Sequence, residues 1–236
     1  MGQQDQPDEQ AQHDTVVLVA GGPDSSGSGN GLPAFAVPLG TPVVAADGGV
    51  DRALALGLQV TTAVGDFDSV TAEGLEAVRA AGARIERHPE DKDATDLELA
   101  LDVALALGPR RIVVLGSDGG RLDHLLSTLL VLGSARFAAC EIDAHLGQAT
   151  AHVVRGERRL QGEQGELISL FALHGPAHGV STEGLRFPLR GETLEPGSSR
   201  GVSNVFAAHE ARIELARGVL LAVRPGERID NEGSTR

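Results

Sequence analysis

Short strand-type runs alternate with segments of helical periodicity between residues 15 and 132, and this alternation constrains the fold more than any other feature. The strand-type runs are Thr15–Ala20, Pro42–Ala46, Thr61–Val64, Ala83–Arg87 and Arg111–Leu115. The segments with helical spacing are Val50–Gly57, Thr71–Gly82, Leu97–Leu107 and Leu125–Leu132, with Thr71 as a candidate N-cap and Thr95 and Glu98 as a capping box. Such alternation is typical of a parallel sheet covered by helices on both faces.

The pattern changes after about residue 145, where short β-type runs are separated by turn residues and no helical periodicity remains. These runs are Ala151–Val154, Gly165–Ala172, Val180–Leu189, Gly201–Phe206, Ala211–Leu215 and Val219–Val223. We therefore predict an α/β fold in which an N-terminal three-layer domain with a parallel sheet (15–145) precedes a C-terminal all-β sandwich domain (146–225). Residues 1–14 are predicted to form a disordered tail and residues 226–236 a polar tail.

The charge balance restricts the partners. The chain has 236 residues, with 20 Lys and Arg against 33 Asp and Glu, which gives a formal net charge of −13. So acidic a chain lacks the basic face that nucleic-acid binding requires, and we expect no nucleic-acid partner. The one cysteine, Cys140, permits no internal disulfide, and no apolar run approaches the length of a membrane span. We expect a cytoplasmic protein with no membrane partner.

Charged residues follow four of the predicted strands close to the point where each strand ends. They are Asp47 after the second strand, Asp66 and Asp68 after the third, Lys92 and Asp96 after the fourth, and Arg121, Asp123 and His124 after the fifth. Ligands of parallel sheets bind beyond the carboxyl ends of the strands, so we expect these side chains to meet at one rim. Phe67, between two of the carboxylates, is expected to point inward as an anchor.

The chemistry of these residues suits a polyphosphate held by a divalent metal. Mg²⁺ is bound by carboxylates together with waters and substrate phosphates, and clustered carboxylates without a cation repel one another. Asp47, Asp66, Asp68 and Asp96 are therefore the candidate metal ligands. Lys92 and Arg121 would add fixed positive charge for the phosphates.

Each of these residues also has a structural interpretation, which the sequence leaves open. Turn positions would explain Asp47 before its two glycines and the hydroxyl of Ser69, and a turn and an N-cap would explain Asp66 and Asp68. Helix capping would explain Asp93, Thr95 and Asp96 before the next helix, and Asp123 before the helix from Leu125. His124 could equally be a packed histidine. Gly21 and Gly22 after the first strand are compatible with either a phosphate loop or an ordinary loop.

Six motifs in order resemble one known family. They are Asp47-Gly-Gly, Gly65-Asp-Phe-Asp-Ser, Lys92-Asp-x-Thr-Asp, Gly119-Gly-Arg-Leu-Asp-His, Thr182-Glu-Gly-Leu-Arg-Phe-Pro-Leu and Val202-Ser-Asn, with Ile168-Ser-Leu as a further match. Their order and spacing are similar to those of the thiamine pyrophosphokinases, over roughly residues 15–225. The resemblance implies an ATP-binding α/β domain, a β-sandwich, and a homodimer with thiamine at its interface.

The resemblance also implies a reaction and residue roles. The reaction is Mg²⁺-dependent transfer of the diphosphate of ATP to the thiamine hydroxyl, with thiamine diphosphate and AMP as products. The implied roles are metal binding by Asp66, Asp68, Asp96 and Asp47, phosphate contact by Lys92 and Arg121, ATP binding that includes Gly48, Gly49, Asp123 and His124, and thiamine binding by Phe187, Ser203 and Asn204.

Two other functions remain open at the level of sequence. A metal-dependent phosphatase would use Asp66 as an aspartyl nucleophile beside Asp68, but it gives no role to the Gly119–His124 motif or to the β domain. A non-catalytic thiamine- or nucleotide-binding regulator would have no need for the whole carboxylate cluster.

Overall fold

The computed structural model describes residues 14–23 and 37–226. The predicted N-terminal tail apart from Asp14, the glycine- and serine-rich segment 24–31, and the predicted C-terminal tail apart from Gly226 lie outside the described residues.

A ten-stranded sheet forms the centre of the molecule. Its strands are β1 (Thr15–Ala20), β2 (Val43–Ala46), β3 (Thr62–Gly65), β4 (Arg84–Arg87), β5 (Arg111–Gly116), β6 (Glu141–Leu146), β7 (Ala149–Val154), β9 (Leu167–Ala172), β12 (Asn204–Val205) and β14 (Leu220–Arg224). They lie in the order β12-β9-β14-β7-β6-β5-β1-β2-β3-β4. Strands β1 to β6 pair in parallel, whereas β7, β14, β9 and β12 pair antiparallel with their neighbours.

Four helices cover the parallel half of this sheet. They are α1 (Gly49–Ala55), α2 (Ala72–Ala80), α3 (Asp96–Ala106) and α4 (Leu122–Leu132). The helices α1 and α2 pack with one face of the sheet, and α3 and α4 with the other, so the apolar core divides into two layers. Thr71 and Thr95 cap α2 and α3 by accepting the backbone N–H of Gly74 and of Glu98. The predicted three-layer arrangement is confirmed.

A second, antiparallel sheet covers the other half. It consists of β8 (Glu157–Gln161), β10 (Ala177–Glu183), β11 (Glu192–Leu194) and β13 (Glu210–Glu214), in the order β11-β10-β13-β8. Its apolar side chains pack with those of β7, β9 and β14 around Phe206, Ile213 and Leu220. The fold class is therefore as predicted, an α/β unit joined to a β-sandwich. The main sheet itself runs without a break through residue 145, because β6 pairs with both β5 and β7.

Several predicted boundaries were wrong. The strand expected over Val180–Leu189 ends at Glu183, because Gly184 turns the chain with a φ of +74° and a Cβ there would collide with the Glu210 carbonyl oxygen. The strand expected over Gly201–Phe206 is reduced to two residues. Helix α4 begins at Leu122, three residues before the predicted start at Leu125. Strands β6, β8 and β11 were not predicted at all.

Candidate active site

Three carboxylates meet where β2 and β3 end. These strands are adjacent and parallel, and Asp47 N donates to Val64 O at 2.8 Å, so the two loops leave the sheet side by side. Asp47, Asp66 and Asp68 each present a carboxylate oxygen, and these three atoms all lie within 4.8 Å of one another. This spacing fits one divalent cation with oxygen ligands. These three residues lie together at the edge of the sheet where the sequence analysis expected them.

The backbone at this point is bent sharply. Asp47 and Phe67 both have left-handed φ angles, of 44° and 64°, which non-glycine residues adopt only when the surroundings hold them. Phe67 is 9% exposed and packs among the core residues under α1 and α2, and the Arg87 guanidinium lies 4.9 Å from its ring centre. Arg87 Nη1 also donates to Asp66 O at 2.6 Å. Phe67 thus points inward, as expected, and fixes the loop that carries two of the carboxylates.

Lys92 connects this loop to α3. Its Nζ lies 2.8 Å from Asp66 Oδ2 and 3.1 Å from Asp96 Oδ1. The hydrogen bond from Lys92 lowers the pKa of Asp66, whereas burial raises the pKa of Asp96. Burial alone would lower the pKa of Lys92, but its bonds to the two carboxylates outweigh that effect and raise it. The contact between Lys92 and Asp66 therefore favours the charged forms of both groups, whereas burial disfavours the charged form of Asp96.

Asp96 occupies a confined position. It is the first residue of α3, and a Cβ on Gly65 would lie 3.1 Å from its Oδ1. This oxygen is buried and, among the described residues, accepts no well-directed hydrogen bond, although Lys92 Nζ lies 3.1 Å away. Thr95, not Asp96, supplies the cap of α3, and Thr71, not Asp66 or Asp68, supplies the cap of α2. The capping interpretations of these three aspartates are wrong: Asp66 and Asp96 instead contact Lys92, and Asp68 accepts Ser69 Oγ.

A cleft of about 700 Å³ opens beside the acidic cluster. Asp47, Lys92, Asp96, Arg121 and His124 line it, as do the predicted Gly48 and the first glycine pair, Gly21 and Gly22. Close backbone approaches explain the glycines: a Cβ on Gly49 would collide with the Val19 carbonyl oxygen, and one on Gly21 would lie 3.0 Å from Gly48 C. Six residues expected in the nucleotide and metal sites line this cleft, and they are Asp47, Gly48, Lys92, Asp96, Arg121 and His124. Asp66 and Asp68 do not line it, but their carboxylates lie next to that of Asp47.

Two exposed charged residues, Arg121 and Asp123, lie at the start of α4. Arg121 Nη2 lies 2.6 Å from Asp123 Oδ2, and both side chains are largely exposed. The hydrogen bond from Arg121 lowers the pKa of Asp123. Arg121 is the N-cap residue of α4 but makes no side-chain cap bond, and Asp123 lies inside the first turn. Asp123 does not line the cleft and is placed to orient Arg121.

Sequence reasoning missed some residues of the cleft. Asp51 on α1 accepts Thr71 N and Thr71 Oγ1, each at 2.7 Å, and so fastens the end of the acidic loop to α1. Ser127 and Thr128 on α4 also line the cleft. Ser69 Oγ donates to Asp68 Oδ1 at 2.8 Å, which makes it a hydroxyl of the turn, as expected. Asp51 is the acidic residue in the first turn of α1, directly after the Asp47-Gly-Gly motif, and this position was the available signal.

The residues expected to bind thiamine lie elsewhere in the chain. Phe187 is 53% exposed, so it is not a core residue of the sandwich. Asn204 is buried, and its side chain accepts Phe187 N at 3.0 Å and donates to Phe187 O at 2.7 Å. Ser203 has a left-handed φ of 57° and is exposed. None of the three lines the cleft beside Asp47 within the described residues.

This fold and site define a class of proteins: α/β enzymes that hold a phosphate substrate at the carboxyl edge of a parallel sheet. The comparison with known families makes the assignment specific. Residues 41–143 match the family model of the thiamin pyrophosphokinase catalytic domain, and residues 151–220 match that of its vitamin B1 binding domain. The chain belongs to the thiamine pyrophosphokinase family.

Individual relatives agree with this assignment. Thiamine pyrophosphokinase of Bacillus subtilis (strain 168) is 28% identical over 148 residues, which is 61% of this chain and 68% of that protein. The crystal structure of thiamine pyrophosphokinase from Bacillus subtilis superposes with a TM-score of 0.76 at 27% identity, over 89% of this chain and 98% of that one. The corresponding structure from Geobacillus thermodenitrificans gives 0.74 at 26% identity, over 93% and 100%.

Proposed function

We propose that Asp47, Asp66, Asp68 and Asp96 hold Mg²⁺ for the reaction of this family, the transfer of diphosphate from ATP to thiamine. The observation that carries the proposal is the set of three carboxylate oxygens within 4.8 Å of one another, one of which belongs to Asp47 on the lining of the cleft. The buried Asp96 Oδ1, which accepts no well-directed hydrogen bond among the described residues and lies 3.1 Å from Lys92 Nζ, would complete the same site. Bound Mg²⁺ would neutralise the charge of the polyphosphate and orient it.

The residues of the chain would act mainly by position and charge, as in other phosphoryl-type transfers. Lys92 is 13% exposed in its side chain and is held by Asp66 and Asp96, so its ammonium faces the phosphates from a fixed position. Arg121 would add a planar guanidinium from the other wall, oriented by Asp123. The thiamine hydroxyl oxygen bonds to the β-phosphorus and loses its proton, and the bond from that phosphorus to the oxygen of AMP breaks.

We further propose that the active enzyme is a homodimer. Helix α4 has an apolar sequence, yet Leu122, Leu126 and Leu130 along one side are 78%, 55% and 40% exposed. No other described residue covers this stripe, and α4 also contributes residues to the cleft. Phe187 is exposed and does not line that cleft, so a second copy on α4 is the arrangement that would bring a thiamine-binding aromatic to it. Asn204 would position Phe187 through its two backbone hydrogen bonds.

Within residues 14–23 and 37–226, no helix is long and apolar enough to cross a membrane. We propose the cytoplasm as the compartment, because ATP is a substrate and the buried thiol of Cys140 has its pKa raised by burial, as in a reduced structural cysteine.

The metal proposal is tested by removing and restoring the ion. Activity should be lost in a chelator and restored by Mg²⁺, and Mg²⁺ should bind the protein without nucleotide in a calorimetric titration. The variant Asp68→Asn should weaken that titration, whereas Glu195→Gln, an exposed acidic residue outside the cleft, should not. Full activity in excess chelator would refute the proposal. The phosphatase alternative is not favoured, since both family models match and both domains then have a role.

A further inference from the structure

The turn after β3 carries two of the clustered carboxylates in a conformation that is unfavourable for its sequence. Phe67, which separates Asp66 from Asp68, has a φ of 64°, in the left-handed region that bulky residues rarely adopt. Such a conformation persists only where surrounding contacts hold it. The relative positions of the two carboxylates depend on this angle, so whatever holds the turn also determines the geometry of the metal site.

Bonds to the end of β4 hold the first part of this turn. The parallel partner of Gly65 in β4 is Arg87, and His88 N donates to Gly65 O at 2.9 Å. Strand β3 ends at Gly65, and the next carbonyl is bound by a side chain instead, because Arg87 Nη1 donates to Asp66 O at 2.6 Å. Arg87 thus extends the attachment of the turn to β4 by one residue beyond the sheet.

The same guanidinium group also contacts the residue with the strained backbone. It lies over the Phe67 ring, 4.9 Å from the ring centre, and Phe67 is itself only 9% exposed. A planar cation can lie over an aromatic face while an N–H at its edge donates to a neighbouring carbonyl. Arg87 therefore holds two consecutive residues of the turn, Asp66 by its carbonyl and Phe67 by its ring.

The carboxylate of Asp66 has other partners than its carbonyl. Its Oδ2 lies 2.8 Å from Lys92 Nζ, and its Oδ1 accepts the Asp68 N–H at 3.3 Å. Arg87 is exposed and is not among the described residues that line the catalytic cleft. It is therefore placed to act on the metal site through the turn and not by contact with a substrate.

We infer that Arg87 is a positioning residue of the metal site, which keeps the turn from Asp66 to Asp68 in its left-handed form. In that form the carboxylate oxygens of the two aspartates lie within 4.8 Å of each other and of that of Asp47. This role rests on the Mg²⁺ site of the proposed function. Without the guanidinium the turn would spend part of its time in other conformations, and only the left-handed fraction would bind the ion. The apparent dissociation constant for Mg²⁺ would rise in proportion.

Charge alone predicts the opposite effect on Mg²⁺ binding. Removal of a cation beside a group of carboxylates makes the local potential more negative, so Mg²⁺ would bind more tightly. Removal of the positioning contacts would make it bind more weakly. Arg84, three residues earlier in β4, offers a matched control, because it is exposed and its Nη2 lies 2.6 Å from Glu86 Oε1.

Calorimetric titration of Mg²⁺ into the full chain, without nucleotide or thiamine, separates the two effects. Arg87→Met keeps an unbranched apolar side chain for the Phe67 ring but removes the charge and the donors, and its dissociation constant should rise roughly tenfold. Arg84→Met should bind Mg²⁺ as the wild type does or slightly more tightly. Arg87→Lys keeps the charge and a donor for the Asp66 carbonyl, so it should restore part of the loss. Unchanged or tighter binding in Arg87→Met, or an equal loss in Arg84→Met, would overturn the inference.

Kinetics at varied Mg²⁺ distinguish a positioning residue from a metal ligand. Saturating Mg²⁺ should assemble the site in Arg87→Met, so kcat should return to within about twofold of the wild type, with the KM for thiamine unchanged. Asp68→Asn removes a ligand, and excess Mg²⁺ should not restore its kcat. A kcat of Arg87→Met that stays low at saturating Mg²⁺ would contradict a positioning role. So would a lowered urea unfolding midpoint that accompanies a failure of Arg87→Lys to restore binding.

The wild-type titration distinguishes the role of Arg87 from the metal site itself. If the wild type binds Mg²⁺ and Arg87→Met binds it equally well, the metal site stands and the role of Arg87 is refuted. If the wild type binds no Mg²⁺, the metal site is refuted and the role of Arg87 with it. Weaker binding in Arg87→Met alone, partly restored in Arg87→Lys, supports both.

Discussion

Asp66 carries more of the proposed chemistry than any other single residue, because it contacts both Lys92 and the carboxylate cluster. The change Asp66→Asn keeps the shape of the side chain but removes one charge from the metal site and from the lysine. We expect the rate of thiamine diphosphate formation to fall by about 100-fold or more, with the unfolding transition preserved. The control is Asp93→Asn, at an exposed acidic residue of the neighbouring loop outside the cleft. Near-normal turnover of Asp66→Asn would remove Asp66 from the metal site.

A second prediction for a single residue concerns Asp143 and the pH dependence of the unfolding free energy. Burial alone would raise its pKa, but the bond from His152 and the charges of Arg158 and Arg111 lower it well below its ordinary value. A carboxyl with a lower pKa in the folded state stabilises the fold above its unfolded pKa of about 4 and loses that contribution as the pH falls further. We expect Asp143→Asn to cost about 3–5 kcal/mol of unfolding free energy at pH 7.

The measurement is urea unfolding of the wild type and of Asp143→Asn between pH 3 and pH 7. The difference in unfolding free energy should be largest above about pH 4 and should shrink below it. Asp91→Asn, at an exposed position, serves as the control. A difference that grows as the pH falls has the opposite sign and would contradict the assigned pKa direction.

The helix caps can be compared at the scale of single elements. Thr95 Oγ1 accepts one backbone N–H at the start of α3, whereas Thr71 Oγ1 accepts Gly74 N and also donates to Asp51 on α1. We expect Thr95→Ala to cost about 1 kcal/mol and Thr71→Ala about 2 kcal/mol, because the second change also leaves the Asp51 carboxylate short of a donor. Urea unfolding of both variants gives the comparison. Equal losses would mean that the Thr71–Asp51 bond contributes nothing to stability.

The elements also show what the sequence can and cannot predict. The strands β1, β2, β3 and β5 were predicted because they are short apolar runs bounded by turn residues, and their shared edge placed the acidic cluster correctly. Strand β4 is charged, but its Arg84 and Glu86 pair within the strand. Strands β6 and β8 carry Asp143, Arg158 and Arg159 in their interiors. Charged residues conceal the strand pattern when their partners lie on other strands, as those of Asp143 do.

At the scale of the whole molecule, the exposed side of α4 is the proposed dimer contact. The change Leu126→Lys places a charge in the middle of that apolar stripe, where burial against a second copy would be costly. We expect the molecular mass measured by light scattering to fall to that of a monomer, and the KM for thiamine to rise if Phe187 acts across the interface. Leu54→Lys, at a 38% exposed leucine on α1, is the matched control. A dimer that persists in Leu126→Lys would place the interface elsewhere.

Some residues of the proposed site come together only in the folded molecule. Lys92, Asp96 and Arg121 were identified from motifs that lie close together in sequence, and the fold brings them to one cleft. Phe187 and Ser203 carried the same family resemblance, yet a single chain does not bring them to that cleft, because they lie in the sandwich half. Sequence periodicity reports on the elements of one chain, so it cannot predict a site that two copies would form together.

The central claim is transfer of an intact diphosphate, and the identity of the products tests it most directly. The purified protein is incubated with Mg²⁺, thiamine and ATP labelled at the β-phosphorus, and the products are separated and counted. The account predicts AMP and thiamine diphosphate in equal amounts, with all of the transferred label in thiamine diphosphate. Formation of ADP and thiamine monophosphate, with the label retained in ADP, would contradict it.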